Sequence, residues 1–171
     1  MQRHRINSNG NCLFDSIRIA LESIGKNYRV EDLRYHVAKR VLDKGDSEMT
    51  EIIKNWIDIY QNAAKNNEHE LVYDYMHVHN ISPALTKEDR QRLFRVMMSN
   101  LFFGEETTLQ SLEKALGVTF EIYTKRGKSS VHHFSNGKKF KPQYSIMLFL
   151  DEERRHYDLI SFRGKFVHNK M

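Results

Sequence analysis

The chain has 171 residues, 40% of them hydrophobic and 11% aromatic, with a formal net charge of +5 at pH 7. That length and apolar content support one domain over residues 1–171 with a sizeable core, and they exclude a disordered chain. Cys12 is the single cysteine, which excludes an internal disulfide and a zinc site built from several thiolates, and no run approaches the roughly 18 consecutive apolar residues of a membrane span, so a cytoplasmic protein with no membrane partner is expected.

Taken in order, Arg3–Ile6 reads as a short edge strand leading into the polar turn Asn7-Ser8-Asn9-Gly10-Asn11. Asn and Gly tolerate the left-handed backbone that a tight reversal needs. Beyond it, Leu13, Ile17, Ala20, Leu21 and Ile24 mark one face of a helix that Gly25 stops. Cys12 therefore stands at or beside that helix's N-terminus. Free backbone N–H groups and the positive end of the helix dipole are expected to lower its thiol pKa, and the same groups suit an oxyanion. A cysteine that merely fills a core needs no such approach.

A second amphipathic helix is predicted over Val30–Leu42, with Glu31 and Asp32 in its first turn, a third from Ser47 to Ala64, and a short one within Glu68–His79. Ser82-Pro83 breaks the pattern, and Thr86 with Asp89 forms a capping pair for a helix through Leu93, Phe94, Val96 and Met97. Leu109, Leu112, Ala115 and Leu116 mark the last helix, stopped by Gly117. There the period changes from helical to two, and Val118, Phe120 and Ile122 line one face of a strand. Gly127 and Gly137 bracket an expected hairpin around Val131–Phe134. The continuous apolar run Ile146–Leu150 predicts a strand buried on both faces, at the sheet centre. A charged turn, Asp151-Glu152-Glu153-Arg154-Arg155, leads into a last strand from His156 to Phe162. Helices fill the first two-thirds and strands the last third, an α+β arrangement.

Positive charge concentrates at Lys125-Arg126-Gly127-Lys128, at Lys138-Lys139-Phe140-Lys141 and after Arg163, read here as loops and an end. Such runs can engage phosphate backbones but more often form a solvated face, and no RNP, KH or zinc-finger pattern accompanies them; nucleic acid is not an expected partner. His77-x-His79 and His132-His133 have neither a helical i, i+4 partner nor a nearby cysteine, so no metal and no other cofactor is expected.

In the last strand, residues i and i+2 share a face, so His156 and Asp158 point the same way. A carboxylate on one imidazole nitrogen fixes the tautomer and leaves the other nitrogen for a nucleophile. By itself the pair also fits a salt-bridged strand end; a helix-start cysteine is the group it would serve as base and orienter.

These residues resemble the ovarian-tumour-domain (OTU) cysteine proteases, most of whose studied members are deubiquitinases. Asn9-Gly10-Asn11-Cys12-Leu13-Phe14-Asp15-Ser16 is similar to the family's Asp-Gly-Asn-Cys-Leu-Phe-x-Ser block. Leu101-Phe102-Phe103-Gly104-Glu105-Glu106 onward to Leu116 is similar to its Trp-Gly block, Val118–Tyr123 to the strand that follows, and His156-Tyr157-Asp158 to its His-Tyr-Asp/Asn block. Asn9 stands where the family usually has Asp, and Phe103 where it has Trp.

The resemblance implies a papain-like OTU fold, a small β-sheet packed between helical regions, with Cys12 as nucleophile, His156 as general base and Asp158 as its orienter. It further implies an oxyanion loop at Asn9, Gly10 and Asn11, and a monomer acting on ubiquitin, polyubiquitin or a ubiquitin-like protein. The setting would be the cytoplasm, or a host cytosol for a viral or bacterial source. Gly104, Glu105 and Glu106, with Asp151, Glu152 and Glu153, are the expected walls of a channel for the substrate's arginine-bearing tail. The rival expectation is a catalytically silent ubiquitin-binding or nucleic-acid-associated module of the same fold.

Overall fold

The apolar periods of the sequence reappear as packed elements in a computed structural model of the chain, which describes residues 1–42, 87–100, 106–132 and 141–169. In chain order these are β1 (Gln2–His4), α1 (Cys12–Glu22), α2 (Val30–Leu42), α3 (Lys87–Met98), α4 (Glu106–Leu116), β2 (Val118–Thr124), β3 (Gly127–His132), β4 (Tyr144–Asp151), β5 (His156–Ser161) and β6 (Val167–Asn169). By its contacts the chain divides into two units, residues 1–36 with 103–171, and residues 37–102. The first unit holds the sheet, α1 and α4; α3 belongs to the second. The helices predicted for 47–64 and 68–79 lie outside the described residues, as do Thr86 and Leu101–Glu105.

One mixed sheet carries the strands in the order β1-β5-β4-β2-β3, with β6 also paired to β4. The β2–β4 pair is parallel and the other pairs are antiparallel. The continuous apolar run falls in β4, which pairs with β2, β5 and β6, and Ser145–Leu148 are buried on both faces. That is the sheet centre its lack of alternation predicts.

Gly117 sets the start of the parallel pair. With φ of +68° it occupies the left-handed region that ends α4 and turns the chain directly into β2. Its carbonyl accepts the Gln143 N–H at 2.9 Å, which fixes the ladder at Val118 opposite Tyr144. Val118, Phe120 and Ile122 then bury one face of β2, and α4, whose Leu109, Leu112 and Leu116 are buried, packs against that strand. Helix α1 packs against β5 and β4 with Leu13, Phe14, Ile17, Ala20 and Leu21 inside. Burying each such side chain contributes roughly 1.5–3 kcal/mol.

Several details differ from the sequence reading. The edge strand is Gln2–His4 rather than Arg3–Ile6, and Ile24 and Ala115, expected on buried helix faces, are exposed. The hairpin turn lies at Lys125 and Arg126, so Gly127 and Lys128 open β3 and pair back onto β2 rather than lying in a loop; residues 133–140 are outside the described set. The basic tail is not simply an end. After Ser161, mutual hydrogen bonds between Phe162 and Lys165 close a tight turn, and Val167–Asn169 rejoins the β5 side of β4 with Val167 buried. A three-residue strand after a turn is too short to show a period.

Among the described residues no helix is long and apolar enough to cross a membrane.

One carboxylate sits inside this packing. Glu113 of α4 has no exposed surface; its Oε1 accepts the Thr119 hydroxyl at 3.3 Å, and its Oε2 is buried without a partner among the described residues. Burial pushes its carboxyl from the ordinary 4.5 up to about 7, against the opposing pull of the Phe120 N–H and the Thr119 hydroxyl. Between those two values the folded state holds a proton that the unfolded chain has lost, so stability falls as pH rises across that range. Glu113→Gln is therefore expected to be more stable than the parent at pH 8 by roughly 1–3 kcal/mol, and no more stable at pH 5, in urea unfolding at the two pH values. An equal difference at both would contradict the assignment.

Candidate active site

The loop before Cys12 is built around an N-cap that does not cap. Asn11 precedes Cys12, the first residue of α1, and Asn is among the best N-caps, yet its side chain makes no capping bond. Its Oδ1 instead accepts from Arg34 Nη2 at 2.7 Å and Nε at 3.2 Å, and the same Nη2 donates to the Gly10 carbonyl at 3.0 Å. The guanidinium of Arg34 is buried and lies 4.4 Å over the Phe14 ring. Gly10, at φ of +84°, makes the reversal, and Asn9 Oδ1 accepts the Asn11 N–H at 3.1 Å. Asn9 thus shapes the loop with an acceptor oxygen, as a carboxylate would.

Because no side chain claims the helix start, its amides face the sulfur. The Tyr157 N–H donates to Cys12 Sγ at 3.5 Å, and the Leu13 and Cys12 N–H groups also act on it. The expected lowering of the thiol pKa is nevertheless reversed. Cys12 is only 8% exposed, and burial pushes its thiol above the ordinary 9.0; the Tyr157, Leu13 and Cys12 amides pull it down, and the Asp158 charge pushes it further up. Burial thus favours the thiol over the thiolate at Cys12.

On β5, His156 and Asp158 share a face as their spacing predicts, with Nε2 2.9 Å from Oδ1. Asp158 is buried. Its Oδ1 also accepts the Ile6 N–H at 2.8 Å, and its Oδ2 accepts Arg3 Nε at 2.7 Å. The register that places Arg3 opposite Ile160 brings it onto the Asp158 face, where its guanidinium also lies 4.0 Å over the Phe149 ring. Burial alone would raise the Asp158 carboxyl, but the Ile6 N–H, Arg3 and His156 outweigh it and hold the carboxyl below its ordinary 3.8. An ionised carboxylate accepts only, which assigns the neutral imidazole's proton to Nε2 and its lone pair to Nδ1. Nδ1 lies 3.3 Å from Ser8 Oγ.

Cys12 and His156 are brought together by the packing of α1 on β5: the sulfur rests on the amide that joins His156 to Tyr157. Gly104 and Glu105 lie outside the described residues, and Glu106 is the first residue of α4. Asp151 is buried opposite His156 in the ladder and accepts the Arg154 N–H at 3.3 Å, closing the β4–β5 turn. Glu152 and Glu153 are exposed and share the rim of a depression of about 110 Å³ with Lys125 and Arg126. Among the described residues no group of three or more His, Cys, Asp or Glu is arranged to hold a metal.

The sequence reading missed Arg34, Arg3 and Ser8. For Arg34 a signal existed: it stands three and four residues before the buried Val37 and Ala38, a cation on the apolar stripe of α2.

The profile of one family, described as OTU-like cysteine protease, matches residues 7–157. The chain belongs to that family. Its match takes in Cys12 and His156 and stops one residue short of Asp158. No curated protein sequence matches the chain. Among solved structures, an OTU domain in complex with ubiquitin is 19% identical, with 99% of this chain and 74% of that one covered at a TM-score of 0.55. An OTU deubiquitinase from Wolbachia pipientis wMel is 14% identical, with 95% and 89% covered at 0.55, and its ubiquitin-bound form gives 14%, 96%, 97% and 0.53. These likenesses show the α+β OTU fold.

Arg34→Lys is expected to lose about 1–3 kcal/mol in urea unfolding, because one ammonium cannot reproduce a fork that meets Asn11 Oδ1 with two nitrogens while reaching the Gly10 carbonyl. A loss under about 0.5 kcal/mol would show that the clamp is not what holds the loop.

Proposed function

We propose that this OTU-family chain is a thiol isopeptidase that releases ubiquitin, or a ubiquitin-like protein, from lysine side chains or from polyubiquitin. The observation that carries the reading is the bond between His156 Nε2 and Asp158, which leaves Nδ1 as the base nitrogen beside the peptide on which the Cys12 sulfur rests. That two of the structural neighbours are bound to ubiquitin supports the choice of substrate.

In the first step Nδ1 takes the Cys12 proton as Sγ attacks the carbonyl carbon of ubiquitin's C-terminal glycine. The burial that raises the thiol's pKa favours transfer to the ring as the bond forms. The tetrahedral oxyanion is held by the Cys12 N–H at the start of α1 and by amides of the Asn9–Asn11 turn. The Asn11 N–H already serves Asn9 Oδ1, so within the turn the remaining amides carry that role. The imidazolium then returns its proton to the lysine amine as the carbon–nitrogen bond breaks, leaving a thioester on Cys12. Water, deprotonated by Nδ1, attacks the thioester carbonyl and releases the carboxylate and the thiol. Throughout, Asp158 stabilises the charged ring without taking its proton.

The arginines of the substrate tail are assigned to the acidic positions Glu105, Glu106, Glu152 and Glu153, which follow Gly104 and Asp151 in the sequence. The silent-module alternative rests on Asn9, in place of the family's usual Asp, and on the basic loops; the Asn9 bond to the Asn11 N–H favours the catalytic reading.

A ubiquitin whose C-terminus carries an electrophile tests the proposal. The folded chain is expected to form one covalent adduct, Cys12→Ala none, and His156→Ala an adduct formed roughly 10²–10⁴-fold more slowly. No adduct with the folded parent, or an adduct that survives Cys12→Ala, would overturn it.

A further inference from the structure

The Nδ1 lone pair of His156 is already occupied. Ser8 Oγ lies 3.3 Å from it, and Arg154 Nη2 lies 3.4 Å from the same Oγ. With the ring neutral, the donor and acceptor roles in this chain follow from its ends. Arginine only donates, so Ser8 Oγ accepts from Arg154; Nε2 carries the ring proton toward Asp158, so Nδ1 accepts and the Ser8 hydroxyl donates to it. An imidazole nitrogen has one lone pair in the ring plane, and the hydroxyl fills it. Cys12 Sγ meanwhile takes the Tyr157 N–H, and among the described residues it makes no hydrogen bond to the ring.

We infer that Ser8, held by Arg154, is a positioning residue that gates the general base: its hydroxyl competes with the Cys12 thiol for His156 Nδ1 and must turn away before proton transfer. The inference rests on the catalytic reading proposed above. Ser8 and Arg154 are both exposed, on the turn before α1 and on the β4–β5 turn, so the latch lies where an arriving substrate can reach it. A backbone carbonyl of the substrate that accepts from the Arg154 guanidinium would withdraw the group that holds the Ser8 hydroxyl in place. Rotation of one side-chain torsion then frees Nδ1 without moving the loop that Arg34 holds.

Alkylation of Cys12 by iodoacetamide at neutral pH reads the gate without substrate. Ser8→Ala is expected to react about 3- to 10-fold faster than the parent, the range set by one neutral hydrogen bond, and Ser8→Thr, which keeps the hydroxyl, within about 2-fold of it. Arg154→Ala is expected to accelerate as well, and unchanged melting of all three would separate the effect from folding. With a fluorogenic ubiquitin substrate, kcat/KM should rise in Ser8→Ala, because binding no longer has to open the latch. If His156→Ala slows alkylation but Ser8→Ala leaves it unchanged or slows it, the gate is overturned and the catalytic reading stands. If His156→Ala leaves alkylation unchanged, the catalytic reading falls and the gate with it.

Discussion

Much of the site hangs on one buried carboxylate. Asp158 receives a backbone amide from Ile6, a guanidinium from Arg3 and an imidazole from His156, so the N-terminal strand, the central sheet and the proposed base meet at its two oxygens. Charge-assisted bonds of this kind contribute about 1.5–3 kcal/mol each, whereas a buried charge left without partners costs several. The arrangement therefore works as a unit. The three-residue β1, too short to be stable on its own pairing, is fastened at the sheet edge by the same group that sets the histidine's tautomer. Structural and chemical roles coincide in one side chain.

The Cys12 sulfur obeys a different balance. A helix start lowers a nearby anion's energy by about 0.3–1 kcal/mol at exposed sites and up to roughly 2 in favourable buried geometry. Burial of a thiolate works against this, and at Cys12 it wins, with the Asp158 charge adding to it. In the proposed mechanism the amides at the helix start are thus better matched to the oxyanion, which forms only during reaction, than to the resting sulfur. Arg34 contributes by drawing the Asn11 side chain away from those amides, which keeps them pointed at the reacting atoms.

Sequence alone carried the parts of this picture that depend on local periodicity. The bounds of α2, the helix-to-strand change at Gly117, the buried run in β4 and the shared face of His156 and Asp158 follow from spacing, and the structure has them in place. The resemblance to OTU proteases likewise held at the level of family and fold. What spacing could not carry were side chains that act at a distance. Arg3 reaches Asp158 across 155 positions and Arg34 reaches Asn11 across 23, and neither leaves a mark on local pattern beyond one cation in an apolar stripe. The sign of the Cys12 shift also eluded the sequence. A helix start can be read from residues, whereas the depth of its burial depends on what packs over it. The strand β6 was hidden for a third reason, since three residues after a tight turn are too few for a period of two to show.

The central claim is that Asp158 holds the neutral His156 ring with its proton on Nε2 and its lone pair on Nδ1. Nitrogen-15 NMR of the histidine rings in the intact chain, with His156 assigned by its absence in His156→Gln, measures this directly. In the neutral ring the expected result is a protonated Nε2 and an unprotonated Nδ1, with that preference weakened in Asp158→Ala. A ring protonated at Nδ1 in the parent chain, or a tautomer indifferent to Asp158, would contradict the account.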